Sequence, residues 1–147
     1  MQDQSWDYEK PHLLPIEVTS EHIDMMGHAN NVVFLKWLEN AAWDHSNHLG
    51  LGWDKYQQLG RTMVARETWL EYLAPARAGD QLLVATWIVH NDGRATTRRA
   101  YQIRRRSDDR TLLRGSTVFV CVDIEKGRAR RMPPEFIEGY QVAKKST

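Results

Sequence analysis

The stretch His22–Asn31 reads HIDMMGHANN, placing one carboxylate, a glycine, two histidines and two asparagines directly before an apolar segment. If that segment is a helix, Asp24 sits a few residues ahead of its first turn, where backbone N–H groups have no intrahelical acceptor. Such N–H groups can hold an oxyanion. A carboxylate beside them is the minimum equipment for splitting an activated acyl bond: the acid attacks the carbonyl or takes a proton from water, while the amides stabilise the oxygen that becomes negative. A thioester is electrophilic enough to react without a full triad, and no nucleophile–His–acid spacing competes elsewhere in the chain. The same residues also admit a structural reading, which spacing alone slightly favours. In it Asp24 is an ordinary turn residue, Gly27 a turn glycine, Asn30 or Asn31 a helix cap, and His28 a structural donor. His22, Asp24 and His28 carry metal-ligating atoms but no recognisable ligand spacing, so no metal is expected.

The elements that must position these groups can be read from periodicity. From Asn31, NVVFLKWLENAAWDHSNHLG runs without proline or internal glycine and predicts a helix of several turns ending at Gly50. Its polar residues Lys36, Asn40, Asp44 and Asn47 form one stripe, which predicts burial of most of its circumference. HLLPIEVTS reads as a first strand, with Pro15 marking an edge or a strand start. RTMVARETWLEYL, DQLLVATWIVH, RATTRRAYQIRR and TLLRGSTVFVCVDI are rich in β-branched and aromatic residues, and Asn91-Asp92-Gly93 between two of them signals a hairpin. PPEFIEGYQV predicts a short closing helix started by Pro133 or Pro134. The order of one strand, a long helix and four strands with short connections predicts an α+β fold with an antiparallel sheet of about five strands. One domain over residues 1–147 is expected, with 1–10 and 143–147 loosely held.

Composition narrows the function classes. The net charge of +1 over 147 residues gives no reason to expect a nucleic-acid partner. The single cysteine, Cys121, lies in an alternating apolar run and reads as a buried strand thiol. No apolar run reaches the roughly 18 residues of a membrane span, and the N-terminus lacks a basic start followed by an apolar stretch, so a soluble cytoplasmic protein is expected.

The segment DMMGHANNVVFLKWLENA resembles the signature of hotdog-fold acyl-CoA thioesterases of the 4-hydroxybenzoyl-CoA thioesterase type, in which an aspartate three residues before a glycine precedes the long central helix. YLAPARAGDQLLVATWIV resembles the connection between the second and third strands of that family. GSTVFVCVDIEKGRARRMPPEF is similar to its last strand and closing segment, so the likeness covers Ile16 to Phe136. It implies a helix wrapped by a curved antiparallel sheet, an acyl-CoA substrate, no separate cofactor, and a homodimer with its sheets joined edge to edge or a tetramer of such dimers.

Carried onto this chain, the resemblance makes Asp24 the nucleophile or general base, within a loop that includes Gly27 and His28. It makes the backbone amide of Asn31 the group that polarises the thioester carbonyl. Arg94 and Arg128 fall where the family holds CoA phosphates, a task suited to the two-pronged guanidinium. The HANN sequence after the glycine is closer to the general acyl-CoA branch than to the benzoyl-specific members. A related branch uses a helix glutamate instead, which makes Glu39 the reserve acid; Glu67 and Glu71 are further acids on the second strand. The remaining basic residues, Arg98, Arg99, Arg104, Arg105, Arg106, Arg130 and Arg131, read as a solvated strand face. Trp37, Trp43, Trp69 and Trp87 read as core or subunit-interface residues rather than an acyl pocket. A non-catalytic acyl-CoA or acyl-carrier binding module and, further off, an enoyl-CoA hydratase are the alternative functions.

Overall fold

A computed structural model describes residues 6–147. The chain forms β1 (His12–Glu17), α1 (Asn31–His48), α2 (Trp53–Leu59), β2 (Arg61–Tyr72), β3 (Gln81–Asn91), β4 (Thr96–Arg105), β5 (Thr111–Asp123) and α3 (Pro134–Gly139). The strands make one sheet in the order β1-β3-β4-β5-β2, every neighbouring pair antiparallel. Pro15 therefore lies on an edge strand, where its missing N–H costs no ladder bond. β2 is the opposite edge. At 12 residues it is long and largely exposed, and no strand of the described residues pairs on its outer side, with a bulge between Ala65 and Glu67.

α1 packs on one face of this sheet. Phe34, Trp37, Leu38 and Ala41 recur at helical spacing and are buried against Leu82 and Val84 of β3, Tyr101 and Ile103 of β4, and Leu112 and Leu113 of β5. Each large apolar side chain in that seam contributes about 1.5–3 kcal/mol relative to exposure. The expected polar stripe is exposed, but the buried arc is narrower than predicted: Val32, Leu35 and Trp43 also lie open. Wide apolarity of this helix thus reflects surfaces left uncovered in the single chain as well as core.

The turns form for local reasons. Asp92 Oδ1 accepts the N–H groups of Arg94, Ala95 and Thr96, and Gly93 supplies the positive φ (69°) of the hairpin. Burial alone would raise the Asp92 carboxyl; these bonds, with the Thr96 hydroxyl, outweigh it and hold the group well below the usual carboxylate range. α2 was not legible as a helix. It is one short segment, WDKYQQL, ended by Gly60 in the left-handed region, and it is fixed by Tyr56 entering a second apolar cluster with Leu51, Met132, Phe136 and Tyr140.

The terminal segments are better held than expected, residues 1–5 lying outside the described residues. Trp6 and Tyr8 pack on Trp87 on the face of the sheet opposite α1, their ring centroids 6.2 and 5.3 Å from that of Trp87. Asp7 receives two bonds from Arg114, and Glu9 and Ser146 tie the two termini together through Lys144 O and Asp7 O. Among the described residues no helix is long and apolar enough to cross a membrane.

Candidate active site

The loop between β1 and α1 is built by Asp24. Its N–H donates to His28 O (2.8 Å), and its Oδ1 accepts the N–H groups of Met26 (2.9 Å) and His28 (3.2 Å). Gly27, at φ +81°, allows the reversal and donates to Asp24 O. Oδ2 has no hydrogen-bond donor among the described residues and is exposed, so one carboxylate oxygen shapes the loop while the other stays available. The loop is pinned to the core by Ala29 N–H to Ala76 O and by Asn30 N–H to His22 O. His22 is structural: its Nδ1 accepts the Thr19 N–H, and its ring stands edge-on to Trp37. Among the described residues His22, Asp24 and His28 do not gather into a ligand cluster.

At the helix start the two asparagines have different tasks. Asn30 is the cap, its side-chain oxygen accepting the Val32 N–H at 2.8 Å, and its carbonyl receives Val33 and Phe34. Three of the four first-turn donors are thereby satisfied. The N–H of Asn31 alone among them has no acceptor in the described residues. It points from the positive end of an 18-residue helix, the setting in which an oxyanion is stabilised. Tyr72 OH donates to Asn31 O from β2 (3.4 Å). Met25, Met26, Val32 and Leu35 are exposed around this point, an apolar rim about a carboxylate.

One turn along α1 a cavity of about 330 Å³ opens between the helix and the sheet, walled by Leu35, Leu38, Glu39, Ala42, Trp43 and Ser46 on the helix side. β2, β4 and β5 supply Met63, Ala65, Thr68, Thr97, Arg99, Tyr101, Thr117 and Phe119; Tyr56, Ile88 and Tyr140 complete the wall. Asp24 is not in this wall and Glu39 is. The deep part is polar. Tyr140 OH bonds both Ser46 Oγ (2.8 Å) and Tyr56 OH, and Tyr101 OH donates to Thr117 Oγ1 (3.1 Å). Burial, then the neighbouring Tyr140, raises the Tyr56 phenol far above its ordinary value, so it is a neutral hydroxyl.

Arg99 corrects the expectation of a solvated basic face. It is 3% exposed and bonds Thr86 Oγ1 and His45 Nδ1 from the inner side of β4. Burial lowers its guanidinium from the ordinary value, as expected of a cation with no counter-ion. Arg104 is also buried, on the outer face, over the ring of Trp6.

The chain matches the model of the thioesterase-like superfamily over residues 18–139. It belongs to that superfamily. Its architecture is the hotdog fold: the 1,4-dihydroxy-2-naphthoyl-CoA thioesterase of Synechocystis superposes with a TM-score of 0.79 at 19% identity, covering 89% of this chain and 96% of that one. A Staphylococcus aureus protein solved in complex with CoA superposes with a TM-score of 0.82 at 17% identity, covering 90% and 82%. The L-carnitine dehydrogenase/betainyl-CoA thioesterase of Agrobacterium fabrum is 29% identical over 112 residues, 76% of this chain and 22% of that protein. The chain spans 38% and 22% of the lengths of two curated relatives it matches.

In this thioesterase-like chain the expected site residues fall into two groups. Asp24, Gly27, His28 and Asn31 share one loop and helix start, with Gly27 acting on backbone shape and the His28 backbone bonded to Asp24. Arg94 and Arg128 lie elsewhere. Met132 N–H bonds Arg94 O, and Asp123 N–H bonds Arg128 O, which places both at the end of the sheet where β4 begins. The Asp24 loop adjoins Ala76, near the end where β4 finishes. The ten residues of β4, at about 3.3 Å each, set the two groups about 30 Å apart within one chain.

Trp37 and Trp87 are core residues as expected, whereas Trp43 and Trp69 are exposed, Trp69 at 56% on the β2 edge. Cys121 is buried, and burial pushes its thiol up, away from nucleophilic use. The inward set Arg99, Tyr56, Tyr140 and Ser46 was missed. Period-2 alternation through RATTRRAYQIRR puts Arg99 on the face of Tyr101 and Ile103, a signal that competes with the residue's charge.

Proposed function

We propose that this protein hydrolyses acyl-CoA thioesters to a free carboxylic acid and CoA. Asp24 attacks the thioester carbonyl or draws a proton from a water that does so, and the Asn31 N–H takes the oxyanion. Collapse of that oxyanion breaks the C–S bond and expels CoA as a thiolate, which a proton from solvent, or the one Asp24 took from water, quenches; where Asp24 is itself the nucleophile, water then hydrolyses the Asp24–acyl anhydride, releasing the acid and restoring the carboxylate. The observation that carries this reading is the pairing, in one hydrogen-bonded segment, of a carboxylate oxygen without a donor and a helix-start N–H without an acceptor among the described residues. Superfamily membership and the CoA and betainyl-CoA relatives support a CoA-borne substrate.

A single chain is too long between Asp24 and Arg94 or Arg128 for these groups to serve one substrate easily. A second copy paired antiparallel along the open β2 edge brings its own sheet end round to the Asp24 loop, and a homodimer or a pair of dimers answers both the bare edge and the split site. The presence of Glu39 in the cavity wall favours a second assignment of the acid within the same reaction.

The test is free-thiol release from short, medium, long and aromatic acyl-CoAs by wild type, Asp24→Asn and Glu39→Gln. Release lost with Asp24→Asn and kept with Glu39→Gln upholds the proposal; the reverse moves the acid to Glu39. Tight CoA binding with no release from any thioester overturns hydrolysis in favour of a binding module.

A further inference from the structure

Arg99 is a buried cation for which no carboxylate partner exists among the described residues. Its NH1 is engaged with His45 Nδ1 (2.9 Å) and Thr86 Oγ1 (3.1 Å), one acceptor for each hydrogen. His45 can only accept there. Burial, then the neighbouring Arg99, pushes its pKa down to about 3, so the ring is neutral and takes an N–H without balancing the charge. Nε and NH2 make no hydrogen bond among the described residues, which leaves three N–H donors, two of them side by side along the Nε/NH2 edge of the guanidinium. Those donors are not sealed off: Trp87 Nε1 is the sole fully buried side-chain polar atom without a partner among the described residues. The space they reach is the cavity along α1, whose wall includes Arg99.

The Nε/NH2 edge of an arginine is a two-donor fork matched to a carboxylate. Around it the wall is hydrocarbon, aryl and hydroxyl, so burying a cation here is costly until an anion arrives. The one carboxylate in the wall, Glu39, is exposed and seven residues from Ser46, about 10 Å along the helix. Its charge reaches Tyr101 and is not among those acting on Arg99, so it disfavours an anion at its own end of the cavity and leaves the Arg99 and Ser46 end as the anion's place. We infer that the cavity selects acyl groups with a distal carboxylate, the ω-carboxyacyl thioesters of dicarboxylic acids, gripped by Arg99 through Nε and NH2. This rests on the hydrolytic reading above. The helix wall from Leu35 to Ser46 is about 16 Å long, which suits a medium chain rather than a four-carbon diacid.

The experiment compares kcat/KM for adipyl-, suberyl-, sebacyl- and dodecanedioyl-CoA with the unsubstituted acyl-CoA of equal length. Wild type is expected to favour the ω-carboxy member at its best length by about 10-fold or more, and Arg99→Met to lower that ratio about 100-fold. Arg99→Lys, which keeps the charge and loses the fork, should lower it less. A wild-type preference for unsubstituted, hydroxylated or aryl acyl groups overturns the inference, as does a ratio that survives Arg99→Met. The wild-type comparison needs no variant, so a misfolded substitution does not shelter the claim. If no acyl-CoA is turned over, the hydrolytic reading has failed separately, and calorimetric titration with dodecanedioic against dodecanoic acid decides this one. Diacid binding that vanishes in Arg99→Met upholds it, and equal or absent binding of the two acids overturns it.

Discussion

Asp24 and His28 are tied to each other twice: Asp24 N–H donates to His28 O at 2.8 Å, and His28 N–H returns to Asp24 Oδ1 at 3.2 Å. The carboxylate therefore has a structural oxygen and a free one, and the two tasks can be separated by substitution. Asp24→Asn retains an oxygen for the Met26 and His28 amides and removes only the charge. Turnover is expected to fall about 10²–10⁴-fold with little change in thermal midpoint. Asp24→Ala removes the loop acceptor as well, adding a stability loss of about 1 kcal/mol. Thiol release and thermal unfolding of the two variants read these effects independently.

The proposed oxyanion donor is a backbone group, so side-chain truncation at Asn31 tests nothing. Proline does. It is well tolerated at the first helical position, where its φ suits the helix, and Asn30 already has the extended conformation (φ −63°, ψ 141°) that a following proline requires. Asn31→Pro is expected to leave stability nearly unchanged while lowering kcat about 10²–10³-fold. Asn30→Ala should do the opposite, costing about 1 kcal/mol through the lost cap on Val32. An active Asn31→Pro enzyme would eliminate this amide from the mechanism.

The contrast between these two asparagines shows where sequence reading stops. Helix α1, the four later strands and the edge placement of Pro15 follow from local periodicity and proline chemistry, and the structure has them within a few residues. Which asparagine caps and which offers its amide depends on a one-residue offset that periodicity does not resolve. Arg99 reads as solvated in the sequence because charge signals exposure more strongly than strand alternation signals burial, and only the tertiary placement of α1 over β4 buries it. α2 was invisible because its short segment is held by one anchoring tyrosine, a contact made far along the chain with Phe136 and Tyr140. The distance between Asp24 and the two arginines expected to hold phosphate is likewise a property of strand direction, which no motif encodes.

Gly115 and Gly27 need glycine for different reasons. A Cβ at Gly115 would lie 2.6 Å from Leu70 Cδ2 and 2.8 Å from Trp69 O, so β5 can approach β2 only without a side chain. Gly115→Ala is expected to cost about 1–3 kcal/mol and to loosen the β2 edge, read as a lower denaturant midpoint and weaker self-association in sedimentation. A Cβ at Gly27 meets nothing within 4 Å, and only the φ of +81° opposes it. Gly27→Ala should cost about 1 kcal/mol through backbone strain and shift the Asp24 loop, lowering turnover more than stability. Equal effects from the two substitutions on association and turnover would refute this division.

His45 gives the molecule a specific pH dependence. Its folded pKa is pushed down to about 3 by burial, then by Arg99, His12 and His48, with Asp44 opposing, against 6.5 for a free side chain. Below pH 6.5 the unfolded chain takes up a proton that the folded chain refuses, so more protons are bound in the unfolded state and stability rises with pH. The penalty is absent above about pH 7, sets in as pH falls through 6.5, and grows towards pH 3. Asp92, Asp108 and Asp123 also lose stabilisation in acid, but their ordinary value of 3.8 puts that loss lower on the scale. Between pH 4.5 and 6.5, therefore, His45→Asn, which keeps an acceptor for Arg99 and removes the titration, is expected to flatten the fall in unfolding midpoint. An identical slope in the variant would mean that His45 is protonated without penalty in the folded protein. The Arg99–His45 bond, which only a neutral ring can accept, would then not hold in solution.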